Sequence, residues 1–407
     1  MSDGQASAVS RVARRRVFYI PGYDPFHPRR YRELYRKEAA AQAAVSGHEI
    51  AVAGRPGAEV YGWDVTATIE GARIESGFEV LIWSDIVRAS MRAGIAATYL
   101  LMARTAWVNI RSGALAAMLR LRRGPVFIAG FYPVVMLLGQ LALALLMAWG
   151  VSALAGLWLP GWLGWALGLA LVWPLMAWFK ARDGRLYAYY LLNDYAFSAR
   201  LGGAYPPELE ARIAGFAVRI REALAGGADE VLVVGHSSGA HVAVSVLADL
   251  VRAGVVPDDG RLAFLTLGQA IPMAAFLPYA YRLRSDIQVM SEQESIFWLD
   301  VSAPGDGCCF ALCDPVAVTG VARPGRQRWP LVISAAFTQT LSPATWARLK
   351  RRFFRLHFQY LCAFDRPGDY DYFAITAGPQ RLAERFAGRT HSPGRITRAV
   401  SPHRSLA

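Results

Sequence analysis

The sequence EVLVVGHSSGAH at residues 230–241 decides the fold. Its first five residues are mostly apolar, which predicts a buried strand, and an Ala- and Val-rich segment at residues 240–252 predicts a helix. Between them stands the pattern G-x-S-x-G, formed by Gly235, Ser237 and Gly239. Glycine lacks a side chain that could collide with the strand or the helix, so this spacing permits a tight turn. The stretch therefore predicts a strand, a turn that carries Ser237, and a helix.

G-x-S-x-G alone is a weak signal in a chain with 37 glycines. Between a strand and a helix it is typical of a nucleophile elbow, in which a strained turn exposes a serine hydroxyl at the end of a sheet. We interpret Gly235, His236 and Gly239 as the elbow and Ser237 as the candidate nucleophile. The alternative is an ordinary strand–helix turn made of small residues.

The same alternation of strands and helices extends along the chain. Apolar runs predict further strands at residues 17–20, 262–267 and 296–302, and residues 49–82 predict an antiparallel pair. Helical composition fills most of the segments between them. This order predicts an α/β fold with a mainly parallel sheet flanked by helices.

One block interrupts that pattern, because residues 124–179 contain no Asp, Glu, Lys, Arg or His. A membrane-spanning helix needs about 20 apolar residues, so this block has room for two. We predict spans at residues 126–154 and 162–179, with a turn at the Pro-Gly pair between them. Six of the twelve tryptophans lie in the block, and tryptophan favours the membrane–water interface. The alternatives are a buried helical hairpin and a hydrophobic lid.

The positions of the charged residues favour a role in membrane topology over binding of nucleic acid. The chain is 54% hydrophobic and 18% charged, which excludes a disordered protein, and its net charge is +13. Residues 86–182 hold nine basic residues and no acidic ones, while the two ends, residues 1–16 and 389–407, are also basic. The remainder is slightly acidic, so no nucleic-acid binding is expected. Basic residues at both ends of the hairpin predict an inner-membrane protein whose catalytic body and termini are cytoplasmic.

These boundaries divide the chain into five parts, and no cleavable signal sequence is expected. They are a basic N-terminal tail (1–16), the first part of the α/β domain (17–123), the transmembrane hairpin (124–179), the second part of the α/β domain (180–388) and a loose basic C-terminal tail (389–407). The cysteines are sparse, which excludes a disulfide scaffold, and are expected to be reduced. Cys308, Cys309 and Cys313 lack zinc-site spacing and are interpreted as buried thiols, so no metal or cofactor is expected.

With its elbow and its alternating elements, the sequence resembles serine hydrolases of the α/β-hydrolase superfamily, on the lipase and esterase side. The resemblance implies a Ser-His-Asp triad whose acid and histidine follow the serine in that order. Asp306, just past the strand predicted at 296–302, is the preferred acid, and Asp314 is the alternative. His357, in an aromatic stretch, is the preferred base over the other histidines.

The resemblance also implies two backbone donors for the oxyanion. One is Ser238, the residue after the nucleophile. The other is Tyr23, in the loop after the first strand, where this chain has Pro21 at a position that many relatives fill with histidine.

The sequence therefore predicts a membrane-anchored serine hydrolase that cleaves a small-molecule or lipid acyl ester through an acyl-enzyme. An acyltransferase that uses the same triad is a variant of this hypothesis. The alternative from another class is a non-catalytic membrane scaffold that has kept the fold.

Overall fold

The computed structural model of the protein describes residues 11–55, 57 and 60–407. In these residues eight strands form one sheet in the order β2-β3-β4-β1-β5-β6-β7-β8. The strands are β1 (Arg14–Ile20), β2 (Glu49–Gly54), β3 (Gly62–Ile69), β4 (Ala72–Val80), β5 (Glu230–His236), β6 (Leu262–Leu267), β7 (Ile296–Ser302) and β8 (Leu331–Ser334).

The sheet is parallel from β4 to β8 and antiparallel at its other edge. β1 pairs in parallel with both β4 and β5, and β6, β7 and β8 continue the parallel arrangement. The pairs β2–β3 and β3–β4 are antiparallel. Parallel strands present their carboxyl ends at one edge, so the loops after β1, β5, β6 and β7 meet there.

Helices cover both faces of the sheet. The helices before the hairpin and within it are α1 (Arg29–Ser46), α2 (Ser84–Ser90), α3 (Ile95–Arg111), α4 (Ala114–Leu121), α5 (Arg123–Pro125), α6 (Tyr132–Ala155) and α7 (Gly161–Ala181). Those that follow are α8 (Asp183–Leu186), α9 (Ala188–Ala199), α10 (Pro207–Ala225), α11 (Gly239–Arg252), α12 (Ile271–Ala275), α13 (Tyr281–Ser291), α14 (Pro315–Thr319), α15 (Phe337–Thr340), α16 (Pro343–Leu349), α17 (Phe353–His357), α18 (Tyr372–Ala377) and α19 (Leu382–Arg385).

Burial on both faces explains why β5 reads as an unbroken apolar run. Val231 and Val233 pack into the core shared with α10, α11 and α13. Leu232 and Val234 belong to the core on the opposite face, which also contains side chains of α1 and α18. Successive side chains of a strand alternate between faces, so a strand covered on both sides is apolar throughout. The predicted α/β class with a mainly parallel, helix-flanked sheet is confirmed.

Within the described residues, two helices are long and apolar enough to cross a membrane. The first runs continuously through Arg123–Ala155, with a π-helical segment at Val126–Phe131, and the second is α7. At 1.5 Å per residue, α7 is about 32 Å long, close to the thickness of a bilayer's hydrocarbon core. The first helix is about 50 Å long, so about a third of it extends past its partner.

Small residues allow the two long helices to pack closely. A Cβ placed on Gly168 of α7 would overlap the carbonyl oxygen of Ala148 in α6. A Cβ on Gly164 would lie 2.8 Å from the carbonyl oxygen of Ser152. Helices in membranes associate through such small-residue contacts, because lipid gives apolar side chains no incentive to cluster.

The first residues of the long helix belong to the α/β domain. Val126 is buried in the main core, and a Cβ on Gly307 would lie 2.6 Å from Ile128. The hairpin that the sequence places at 124–179 therefore includes a foot, residues 124–131, that packs against protein. Hydropathy cannot distinguish an apolar side chain that faces protein from one that faces lipid.

Both predicted tails are structured where the structure describes them. Residues 1–10 lie outside the described residues, but Arg14–Arg16 belong to β1, and Arg15 is buried in a 2.5 Å ion pair with Glu230. At the other end, the Ile396 N–H donates to Leu312 O (2.8 Å). The Nε–H of Arg284 donates to Ser405 O (2.6 Å). The prediction of a loose C-terminal segment is wrong, because partners that are distant in sequence hold it.

Candidate active site

Ser237 occupies a strained turn between β5 and α11. Its φ is 57°, in the left-handed region that costs an L-residue about 1–2 kcal/mol. Its N–H donates to the carbonyl of Leu267 at the end of β6 (2.9 Å), which fixes the turn against the neighbouring strand. A serine held in an unfavourable conformation by its surroundings is typical of a functional site.

Three glycines leave the space that this turn requires. A Cβ on Gly235 would lie 2.8 Å from Ala240 Cα, and a Cβ on Gly239 would overlap the backbone of Pro21. The third, Gly22, follows β1, and its Cβ would lie 2.9 Å from Ser237 Cβ. The start of α11 therefore lies directly against the loop after β1, which is the loop that carries Tyr23.

His357 and Asp306 form a buried hydrogen-bonded pair. Asp306 follows β7, His357 ends α17, and His357 Nδ1 donates to Asp306 Oδ2 at 2.7 Å. Burial alone would raise the pKa of Asp306, but the charge of His357 and the hydrogen bonds to the carboxylate lower it below its usual value. An ionised carboxylate only accepts hydrogen bonds, so His357 Nδ1 carries a proton, and in the neutral imidazole the free lone pair is then on Nε2.

Further groups orient this pair. Tyr360 donates its hydroxyl hydrogen to Asp306 Oδ2 (3.0 Å), and the Cys308 N–H donates to Oδ1 (2.9 Å). His236, in the elbow, donates from Nε2 to the carbonyl of His357 (3.0 Å). Burial and the charge of His357 lower the pKa of His236 to about 3, so this neighbour is neutral.

Ser237 and His357 lie on the same cavity, whose volume is about 1130 Å³. Gly268 lies between the two residues. It follows Leu267, whose carbonyl accepts from Ser237 N–H, and a Cβ on it would lie 3.1 Å from His357 Cε1. Nε2 of His357 is buried and has no hydrogen-bond partner among the described residues. Ser237 and His357 thus line one cavity without a hydrogen bond between them, and hydrogen bonds within catalytic sites often form only when substrate binds.

The residues proposed to hold an oxyanion also meet at this point. The Tyr23 N–H donates to Ser238 Oγ (3.3 Å), and Ser238 Oγ donates to Asp194 Oδ1 (3.4 Å). An oxyanion would have to replace the Ser238 hydroxyl as the acceptor of the Tyr23 N–H. The structure therefore places both predicted donor residues beside Ser237. It also places the Asp194 carboxyl within hydrogen-bonding distance of Ser238.

Asp194 is a cavity residue that the sequence did not indicate. It lies half-buried on α9, and burial raises its pKa to about 7, while the Ser238 hydrogen bond and the charge of His357 oppose that rise. The chain order implied by the resemblance places the acid after the serine, whereas Asp194 precedes it. At neutral pH this carboxyl is divided between its neutral and its charged form.

The alternative acid, Asp314, has other partners. It is buried, its side chain caps α14, and it forms an ion pair with Arg395 and a hydrogen bond with Gln327 (2.8 Å). The remaining histidines after the elbow also bind elsewhere: His241 Nδ1 pairs with Tyr205 (3.0 Å), His391 accepts from Val332 N (3.1 Å), and His403 pairs with Ser112 O (3.1 Å). Asp306 and His357 are the acid and histidine that the fold brings together.

Asp306, Cys308 and His357 offer one ligand atom each within 4.8 Å of one another. A metal would have to replace the proton of the Cys308 thiol. Burial and the charge of Asp306 raise the pKa of Cys308 well above its usual value, which opposes thiolate formation. Cys309 and Cys313 are free buried thiols.

The foot of the hairpin forms part of the cavity wall. Pro125, Ile128 and Ala129 line it from the first long helix, and Asp183 and Tyr187 line it from just beyond the second. Any ligand beside Ser237 therefore lies close to the point where the hairpin leaves the α/β domain.

Comparison with known proteins matches no protein family, no curated protein and no solved structure. The function of this chain is therefore inferred from the chemistry of the site.

Proposed function

We propose that this protein is a membrane-anchored serine hydrolase, of the α/β-hydrolase kind, that cleaves acyl esters. The observation that carries the proposal is the buried His357–Asp306 pair on the same cavity as the strained Ser237. A serine hydroxyl is a weak nucleophile until a neighbouring base takes its proton, and His357 Nε2, which has no hydrogen-bond partner among the described residues, is the atom proposed to take it.

The reaction would proceed in two steps. Ser237 Oγ attacks the ester carbonyl while His357 Nε2 takes the hydroxyl proton, and the alcohol leaves with that proton. Water, deprotonated by the same nitrogen, then cleaves the acyl-enzyme and releases the acid. Asp306 keeps the imidazole in the required tautomer and stabilises its cation, and the N–H groups of Tyr23 and Ser238 would hold the oxyanion.

The substrate is proposed to be amphiphilic and to approach from the bilayer. The cavity is lined by the foot of a hairpin that is apolar enough to enter a membrane, so an acyl chain could pass from lipid to Ser237 along apolar surface. The basic residues at both ends of the hairpin favour a cytoplasmic position for the α/β domain and both termini, at the inner membrane.

A fluorophosphonate probe tests the proposal directly. The full-length protein in detergent should form a covalent adduct, and peptide mass spectrometry should locate it on Ser237, because only an activated serine reacts rapidly with this group. Heat-unfolded protein is the control and should not react. A folded protein that stays unlabelled, or an adduct that maps to another residue, would contradict the assignment.

The pH dependence of the reaction should depend on Asp194. Its pKa of about 7 means that it gains a negative charge as pH rises through neutrality, close to where the oxyanion develops. We expect kcat/KM for a soluble ester to fall above pH 7, and the uncharged Asp194→Asn variant to retain roughly tenfold more activity than wild type at pH 9. Activity profiles from pH 5 to pH 10 measure this. Identical profiles in the two proteins would show that Asp194 has no such role.

A further inference from the structure

Helix α3, Ile95–Arg111, buries several polar side chains and exposes large apolar ones. Its buried residues include Thr98, Thr105 and Asn109. Its exposed residues include Leu100, Trp107 and Ile110, whose exposed fractions are 74%, 61% and 63%. A surface helix in water normally buries its apolar stripe and exposes its polar one.

The buried polar side chains of this helix are hydrogen-bonded, and one of these bonds joins the helix to its neighbour. The Thr98 hydroxyl donates to Gly94 O (2.9 Å), and the Asn109 amide donates to Thr105 O (2.9 Å). From the neighbouring helix α9, Tyr195 donates to Asn109 Oδ1 (3.3 Å). Turning the apolar side inward would break the Tyr195–Asn109 bond and expose the polar side chains that are now buried, so the exposed apolar face belongs to the fold.

The same helix touches the hairpin. Ile95 packs with Ala144 and Met176, which belong to the two long helices, and the Tyr99 hydroxyl donates to Leu137 O (2.8 Å). A bilayer that contains α6 and α7 would therefore also reach α3. Among the described residues, the outer face of α3 does not pack against the α/β domain. If the two long helices lie in a bilayer, lipid is the apolar medium next to this face.

The charges on this face favour an anionic surface. Arg104 and Arg111 are exposed on α3, and residues 86–182 contain no Asp or Glu. Arg111 lies over the ring of Trp107, 5.5 Å from its centroid. No carboxylate within ion-pair distance of Arg104 or Arg111 is found in the described part of the chain. Tryptophan and arginine side by side on an apolar face are typical of helices that lie in the headgroup region.

A second cavity, of about 760 Å³, opens beside this face. Arg104, Trp107 and Arg111 line it from α3, and Arg200 and Tyr279 line it from the α/β domain. Arg200 is paired with Glu208 (3.1 Å), which leaves the two arginines of α3 as the positive charges without a counterion in this wall. Two unpaired arginines beside an exposed apolar face suit a phospholipid whose headgroup phosphate contacts the arginines and whose acyl chains lie along α3.

We propose that the outer face of α3 lies in the plane of the membrane interface and binds anionic phospholipid, with its headgroup phosphate between Arg104 and Arg111. This site is distinct from the Ser237 cavity and does not depend on hydrolase activity. It makes α3 a third membrane contact, parallel to the surface, next to the two helices that could cross it.

Photo-crosslinking in nanodiscs tests this proposal with the full-length protein. One preparation contains phosphatidylglycerol with a diazirine in the acyl chain, and the other contains phosphatidylcholine with the same chain, each diluted in unlabelled phosphatidylcholine. Mass spectrometry should find adducts on the peptide that carries Leu100, Trp107 and Ile110, roughly fivefold more with phosphatidylglycerol. Adducts on the hairpin should be equal in both preparations and serve as the internal control.

The double variant Arg104→Gln/Arg111→Gln should lower the phosphatidylglycerol yield on α3 to the phosphatidylcholine level. The matched control, Arg221→Gln on α10, should leave it unchanged. An α3 peptide without adducts beside a labelled hairpin would overturn the membrane contact. Equal yields from the two lipids in wild type would overturn the anionic selectivity.

Discussion

Ser237→Ala is expected to lower ester hydrolysis by on the order of 10³-fold or more and to abolish fluorophosphonate labelling. The hydroxyl is the atom that would form the acyl-enzyme, and no other serine in the described residues combines a left-handed turn with the His357 cavity. The remaining activity would come from direct attack of water on bound ester, with the oxyanion donors stabilising the charge on the carbonyl oxygen. Turnover of a soluble p-nitrophenyl ester measures the loss. Hydrolysis at the wild-type rate would remove Ser237 from the mechanism.

The same position offers a stability test. The positive φ of Ser237 costs about 1–2 kcal/mol, which glycine does not incur. Glycine also makes the unfolded chain more flexible, which costs about 0.5–1 kcal/mol. We therefore expect Ser237→Gly to be inactive but at least as stable as wild type. The control Ser198→Gly, inside α9, should lose about 0.5 kcal/mol, because a helical serine has no positive φ for glycine to relieve. Denaturant titration in detergent gives both values.

Asp306→Asn is expected to lower kcat by about 10³–10⁴-fold with little change in KM. The amide has almost the shape of the carboxylate but no negative charge, so it no longer stabilises the imidazolium cation. It can also present its NH₂ group to Nδ1, which favours the tautomer with the proton on Nε2. That tautomer cannot accept the proton of Ser237.

Asp314→Asn is the matched control for this variant. Asp314 is also a buried carboxylate after β7, but it caps α14 and pairs with Arg395. Its change should lower the free energy of unfolding by about 1–3 kcal/mol and leave kcat within a few-fold of wild type at a temperature where the protein is folded. The reverse pattern in the two variants would make Asp314 the acid of the reaction.

The sequence predicts the local part of this site well, because an elbow is built from adjacent residues. The strand, the turn and the helix around Ser237 follow from apolar runs and two glycines. The choice between Asp306 and Asp314 could not be made in this way, since both follow β7 closely. The partners that separate them, His357 and Arg395, are 51 and 81 residues away along the chain.

Two other features depend on tertiary contacts that no local pattern reveals. Asp194 precedes the serine, and the packing of α9 beside Ser238 places it in the cavity. The C-terminal segment is basic and lacks periodicity, which is typical of a loose tail. In the structure its order comes from acceptors and carboxylates elsewhere in the chain, including Asp314 and the carbonyl of Ser112. The fold class was easier to predict, because the alternation of strand-like apolar runs with helical segments extends along much of the sequence.

The buried foot of the long helix affects how the protein can be engineered. A hairpin joined only by surface loops could be excised to give a soluble enzyme. Here Val126 fills the main core and Ile128 lies against Gly307, next to Asp306. A deletion of residues 124–179 would therefore open a hole beside the Ser237 cavity and expose core to solvent. A water-soluble version would instead have to keep the first turns of the helix, through residue 131, and be truncated beyond them.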